Sequence, residues 1–192
     1  RTIGERLFEV KKPIERIVYI SEFTIEYQNA EQALASPVRE AFHEALRRVW
    51  VGKAESDRFN HLVLFSGIQW FEVRILRAYA RYLKQISFSL SEQYIQATFS
   101  SFPDIARQLV ALFQLRFDPK LRKSRNVRFK RLKQEILHAV GEVDSADQDR
   151  IIRNYIALIE ATTRVNMYKT ESYSLNYLSF KINSALVPVL PL

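Results

Sequence analysis

One stretch limits the possible folds more than any other. Between Gln69 and Gln85, the residues Trp70, Val73, Leu76, Ala80 and Leu83 recur at helical spacing. Phe71, Ile75, Ala78, Tyr79 and Tyr82 widen the same side, leaving Arg74, Arg77, Arg81 and Lys84 as a polar stripe. An apolar arc this wide cannot be covered by a single neighbour. The helix is therefore expected at the centre of a multi-helix domain, with partners on at least two sides.

Helix stops and starts punctuate the rest of the chain. Ser36-Pro37 reads as the start of a helix running to about Trp50, with Val38, Phe42, Ala45, Leu46 and Val49 facing in and Gly52 ending it. Ser56 is expected to cap a helix carrying Phe59, Leu62, Val63 and Phe65, which Ser66-Gly67 closes. Ser89 with Glu92, and Ser145 with Gln148, have capping-box spacing. Pro103 suits a first helical position, with Ile105, Leu109, Leu112, Phe113 and Arg116 tracing one face, and Asp118-Pro119 is a stop. After Gly141, the apolar run from Ile151 to Val165 predicts a last helix that frays between Asn166 and Thr170. Strand-like runs lie near both ends: Leu7 to Val10, then Ile14 to Tyr27 after a turn at Pro13, and later Tyr177 to Ile182.

The expected fold is thus mainly α, a bundle-like domain of about six or seven helices with short β strands near both ends. Three portions are read: 1–30 with strands, 31–171 helical, and 172–192 as a strand and extended linker. No signal peptide and no apolar run of membrane-spanning length occur, which points to a cytoplasmic protein without a membrane partner. The chain starts with Arg1 rather than Met, as expected of a fragment or a processed chain.

The formal charge is +8. It brings two partners into consideration, nucleic acid and an acidic protein surface, alongside the plain reading of a basic segment within a larger, balanced protein. The charge is densest from Lys120 to Lys133, where no acidic residue occurs. Arg122, Lys123, Arg125, Arg128 and Arg131 form the candidate interaction surface. A nucleic-acid-binding helical module would use them on phosphates, with Phe129 as a stacking residue. A solvated linker and helix face, or a dock for an acidic neighbour, is the plainer reading of the same residues.

Catalytic constellations are absent from the sequence. His43, His61 and His138 fall in different predicted helices, with no local metal-ligand spacing. Ser66-Gly67 lacks the flanking pattern of a nucleophile elbow. The four glycines, at 4, 52, 67 and 141, supply no phosphate-binding loop. There is no cysteine for thiolate or disulfide chemistry. No catalytic, cofactor-binding or metal-binding residue is expected in the chain.

The passage FNHLVLFSGIQWFEVRILRAYARYLKQISFSLSEQYIQATFSSFPDIARQLVALFQLRFDP, residues 59–119, resembles the large bacterial NAD-specific glutamate dehydrogenases, in the helical region before the catalytic domain. Asp149-Arg150-Ile151-Ile152-Arg153 with Thr162, Thr163, Arg164 and Asn166 resembles that family's next helical passage. Tyr177 to Ile182 and Val189 to Leu192 resemble its run-in to the catalytic domain, and Val18 to Tyr27 is similar, more loosely, to the strands before the helices. The resemblance implies a parent enzyme that oxidatively deaminates L-glutamate to 2-oxoglutarate and ammonia with hydride transfer to NAD. It also implies a homo-oligomer whose catalytic and N-terminal regulatory domains are this segment's partners. The family's catalytic segments are expected downstream, so this stretch reads as a noncatalytic structural or regulatory segment with no cofactor of its own.

Overall fold

The computed structural model describes residues 2–11, 17–25, 36–123, 125–168, 177–188 and 190. The chain divides into two compact units, Arg1–Arg39 and Glu40–Leu192. In the first, β1 (Thr2–Lys11) and β2 (Ile17–Ile25) form an antiparallel ribbon that pairs Phe8 with Ile20 and Leu7 with Ser21. Side chains alternate across a strand. Phe8 and Ile20 therefore share one face while Leu7, Tyr19 and Phe23 share the other, and all five are exposed. The expected turn at Pro13 and the connector from Asn29 to Ala35 lie outside the described residues.

Helix α1 (Ser36–Trp50) leads into the second unit. There follow α2 (His61–Phe65), α3 (Trp70–Gln85), α4 (Glu92–Ser101), α5 (Pro103–Phe117), α6 (Arg125–Gly141) and α7 (Ala146–Ala161). The chain then forms an antiparallel pair, β3 (Thr162–Val165) with β4 (Phe180–Ile182). The mainly helical architecture with short strands near both ends agrees with the sequence reading.

Local chemistry accounts for the breaks. Gly52 and Gly67 take φ of +70° and +68°, a left-handed conformation that L side chains rarely adopt, and each follows a helix end. Gln69 and Glu72 form a reciprocal capping box at the start of α3, with the Gln69 N–H donating to Glu72 Oε2 at 2.7 Å. Pro103 occupies the first turn of α5, and Asp118 ends it. Two caps differ from expectation. Asp57, not Ser56, accepts from the Phe59 N–H, and it starts a short 3-10 turn ahead of α2. Ser91, not Ser89, caps α4 by accepting from Tyr94 N–H, while Ser89 accepts from Arg150. In both cases a neighbouring side chain, rather than the one chosen by spacing, sits one position before the helical backbone begins.

The core is built where α3, α5 and α7 contribute their apolar faces. Val73, Ile75, Leu76, Tyr79, Ala80 and Leu83 of α3 are buried, against Leu109, Leu112 and Phe113 of α5 and Tyr155, Leu158 and Ile159 of α7. The wide arc read from the sequence is thus real, and α5 shares its centrality by packing on α2, α3, α4, α6 and α7. Leu46, expected to face in, is exposed, as is Phe65 at the end of α2. The small side chains Ala41 and Ala45 make α1's buried contact instead.

The polar stripe of α3 needs a sharper correction. Arg81 and Lys84 are exposed, but the Arg77 side chain is only 4% accessible. Its Nε and Nη2 donate to the two Asp57 carboxylate oxygens at 2.5 and 2.8 Å, and Nη2 also reaches Asn60 Oδ1 at 3.2 Å. Helical spacing put Arg77 between Val73 and Ala80, at the margin of the apolar arc. The turn of Asp57 then closes over it. The last helix also ends earlier than expected: β-branched Thr162 and Val165 leave the helix and pair with Ile182 and Phe180 of β4, while residues 169–170 of the expected fray lie outside the described residues.

Leu76→Ala should cost about 2–5 kcal/mol by emptying a fully packed site. Arg77→Ala should cost about 3 kcal/mol, because Asp57 loses its partner in a half-buried position, whereas Arg81→Ala should stay within about 0.5 kcal/mol. Urea unfolding compared at constant slope measures this order, and an Arg77→Ala midpoint as high as that of Arg81→Ala would contradict the buried ion pair.

Candidate functional site

The densest convergence of polar groups inside the core lies where α3 and α5 meet α7 and the β3–β4 pair. Tyr155 of α7 donates its hydroxyl to the Leu76 carbonyl oxygen of α3 at 2.8 Å. Thr162 donates its hydroxyl to Leu158 O at 2.7 Å, so at the 2.9 Å contact between the two hydroxyls Tyr79 is the donor to Thr162 Oγ1. Arg116 of α5 donates to the Glu160 and Thr162 carbonyl oxygens at 2.8 and 3.1 Å. It thereby closes the C-terminal end of α7 with a cation, where the helix leaves carbonyls without intrahelical partners.

Aromatic rings fill the space around these bonds. Tyr79 stacks on Phe180 of β4 with centroids 4.8 Å apart, and meets Tyr155 edge-on at 5.9 Å. Phe99 of α4 meets Tyr155 edge-on at 4.7 Å. Burial pushes the Tyr79 phenol well above its ordinary value, opposed only in part by its bond to Thr162. Tyr155 is raised in the same way by burial, reinforced by the carboxylate of Glu92. Both phenols are held in their protonated form, and their hydroxyls bond α3 to α7 and to the start of β3.

Beside the seam, a cleft of about 630 Å³ is lined by Arg74, Arg77, Arg81, Tyr82, Tyr177 and Phe180, among others. Its basic lining is answered from within. Asp57 takes Arg77, and Glu55 pairs with Arg81. Burial together with the neighbouring Arg77 cation lowers the Arg74 guanidinium below its ordinary value.

The candidate interaction residues from the basic run gather at the start of α6. Arg122, Lys123 and Arg128 are exposed. Arg125 is half-buried and donates to Asp118 O at 2.9 Å, and exposed Arg131 pairs with Glu135 at 2.9 Å. Phe129, which a nucleic-acid reading needs as a stacking residue, is half-buried and packs against the core. His43, His61 and His138 stand exposed on three different helices. Among the described residues, no three metal-ligand side chains converge, and no helix is long and apolar enough to cross a membrane.

Among the described residues no glycine-rich turn leads into a helix N-terminus, the arrangement that cradles a dinucleotide pyrophosphate. Gly52 and Gly67 follow helix ends, Gly4 lies within β1, and Gly141 closes α6. The seam residues themselves were only half visible in the sequence. Arg116 stood out as a cation on an otherwise apolar face, but nothing in the spacing marked Tyr79, Tyr155 and Thr162 as mutual partners.

Comparison with known proteins divides the chain at α6. Residues 54–119 match the family model described as glutamate dehydrogenase, helical motif 3, and residues 135–192 match the one described as bacterial NAD-glutamate dehydrogenase, catalytic domain. The catalytic-domain match reaches back to residue 135 and takes in α7, β3 and β4. Over 193 residues the chain is 40% identical to the NAD-specific glutamate dehydrogenase of Halomonas elongata. The corresponding values are 37% over 196 residues for Pseudomonas aeruginosa and 36% over 200 residues for Mycobacterium tuberculosis. These alignments cover 100, 100 and 99% of the chain, but the chain spans only 12% of the length of each relative. By sequence, the chain matches the helical motif 3 and catalytic-domain regions of the bacterial NAD-specific glutamate dehydrogenase family.

Proposed function

We propose that this stretch is a noncatalytic scaffold within a cytoplasmic NAD-specific glutamate dehydrogenase, holding the catalytic-domain region in a fixed position on helical motif 3. The parent enzyme would convert L-glutamate to 2-oxoglutarate and ammonia with hydride transfer to NAD, as a homo-oligomer with regulatory domains N-terminal to this segment. The observation that carries the proposal is the shared core. Leu76, Tyr79 and Arg116 from the region matching helical motif 3 are bonded to Tyr155, Thr162 and Glu160 from the region matching the catalytic domain. Packed interiors transmit displacement because they have few voids to absorb it. A stretch built this way is suited to orienting a neighbouring domain. The alternative of a basic nucleic-acid-binding module has weaker support, since Phe129 is committed to the core.

Two outcomes test the scaffold. The 192-residue chain alone should show no glutamate-dependent NADH formation, and turnover by the purified chain would overturn the noncatalytic assignment. In the parent enzyme, Phe180→Ala should lower kcat for glutamate oxidation by about tenfold or more, since small misplacements of reacting groups are costly. Unchanged kcat would detach catalysis from this seam.

The seam also has a pH signature. Tyr79 and Tyr155 have folded pKa values raised above the ordinary 10.0. Their contribution to stability is therefore fully present below pH 10 and lost as pH rises above it, because the unfolded chain releases those protons first. The urea midpoint should fall between about pH 9.5 and about pH 11.5, and Tyr79→Phe should flatten that fall. A Tyr79→Phe profile parallel to the wild type would place the tyrosine in water.

A further inference from the structure

Helix α6 and its flanks carry charge in an arrangement that helix stability does not explain. Lys120, Arg122, Lys123, Arg128 and Lys130 are exposed and have no ion pair among the described residues. The first turn of α6 contains no acidic residue, so Arg125 and Arg128 lie at the positive end of the helix dipole, where a cation is unfavourable. Past the other end, Glu142 and Asp144 are likewise exposed and unpaired among the described residues. The basic run also lies largely in the interval 120–134, which neither matched family region covers.

The two clusters are placed symmetrically. Lys133 is the middle residue of α6; Arg122 lies eleven positions before it and Asp144 eleven positions after it, with Lys123 and Glu142 ten before and nine after. Between them runs an exposed stripe of Val127, Arg131, Gln134 and His138 at helical spacing. A surface with this pattern is complementary to itself when turned end over end. We propose that a second copy of this chain docks antiparallel along α6 about a two-fold axis near Lys133. Arg122 and Lys123 of each copy then face Asp144 and Glu142 of the other, so that residue i meets residue j in both directions.

The pattern favours this occupant over a polyanion. A phosphate backbone laid along α6 would gain from the basic end but be repelled by Glu142 and Asp144. Val127, 71% exposed among the cations, offers apolar contact to a protein and nothing to a phosphate. The strength is bounded by area. Seventeen residues make a helix about 25 Å long, and one such face is well short of the roughly 800 Å² per partner of a stable complex. The contact is therefore weak by itself and governed by charge, which sets orientation and salt sensitivity more than affinity.

Sedimentation equilibrium of the 192-residue chain tests this, with about 50 mM and about 500 mM NaCl to change the screening length. The wild type should self-associate at low salt, with dimerisation weakened by about tenfold or more at high salt. Arg122→Glu with Lys123→Glu should abolish the dimer, and so should Glu142→Lys with Asp144→Lys. An equimolar mixture of these two doubly substituted chains should restore it, because each reversed cluster then meets an opposite charge. Monomeric wild type at low salt, or a mixture that stays monomeric, would overturn the proposal. So would salt-sensitive binding of a labelled single-stranded oligonucleotide that is lost on Arg122→Glu with Lys123→Glu and kept on Glu142→Lys with Asp144→Lys. Circular dichroism checks that the exposed substitutions leave the helices intact. A dimer that forms and recombines as described leaves the scaffold assignment to its own activity test.

Discussion

Two phenol groups buried in an apolar interior constrain everything around them. A hydroxyl removed from water without a partner is costly, so the positions of Tyr79 and Tyr155 are set by where acceptors can be found. Tyr155 reaches a main-chain carbonyl of α3. Tyr79 reaches a threonine placed where α7 ends and β3 begins. Neither bond survives a shift of α7 along α3 by one turn, about 5.4 Å. Hydrophobic area alone would tolerate such sliding, because Leu and Ile faces repack at modest cost. The satisfied hydroxyls therefore specify one register, and the stacking of Tyr79 on Phe180 extends that register to β4.

Charge is handled by three different means. On the surface, Glu44 lies between Arg47 and Arg48, whose hydrogen bonds hold its carboxyl down at about 2. This is a solvated arrangement with little bearing on stability. In the interior margin, Arg77 is matched by Asp57 with two short bonds, and breaking that pair strands a carboxylate. At the end of α7, Arg116 meets main-chain dipoles and needs no acid. The basic run before and within the first half of α6 fits none of these. Lys120, Arg122, Lys123, Arg128 and Lys130 have no ion pair among the described residues, and Arg128 lies against its own helix dipole. That contrast, more than the net charge, is what the proposed docking of a second copy along α6 rests on.

The sequence showed the helices because amphipathic period and punctuation are local. Gly67, Pro103 and Gly141 end or start elements for reasons confined to their own backbone, and the arc from Trp70 to Leu83 announces its burial by width. What escaped the sequence depends on distant residues. Arg77 looked like one member of a polar stripe because its partner Asp57 sits twenty positions away, in a 3-10 turn with no periodic signal. Thr162 and Thr163 looked like the tail of a helix because their preference for extended backbone is decided by β4, across a gap of some fifteen residues. The basic run was visible, but its composition could not say which cations are paired.

The boundary between the two matched regions raises a last physical point. Similarity divides the chain between residues 119 and 135, yet no gap in packing coincides with that division. Ile136 and Val140 of α6 belong to the same core as Leu109 and Phe113, and Lys133 pairs with Glu160 of α7 at 2.7 Å. A division that follows sequence similarity can cut through a cooperative unit, because relatedness is read along the chain while burial is read across it. Removing residues 135–192 would expose Leu76, Tyr79, Leu112 and Phe113 and leave Arg116 without the carbonyls it serves. Within this chain the stretch that matches the helical motif is for that reason not packed as an independent module. It supplies one half of an interior whose other half carries the catalytic-domain match, and the position of each half is fixed by the other.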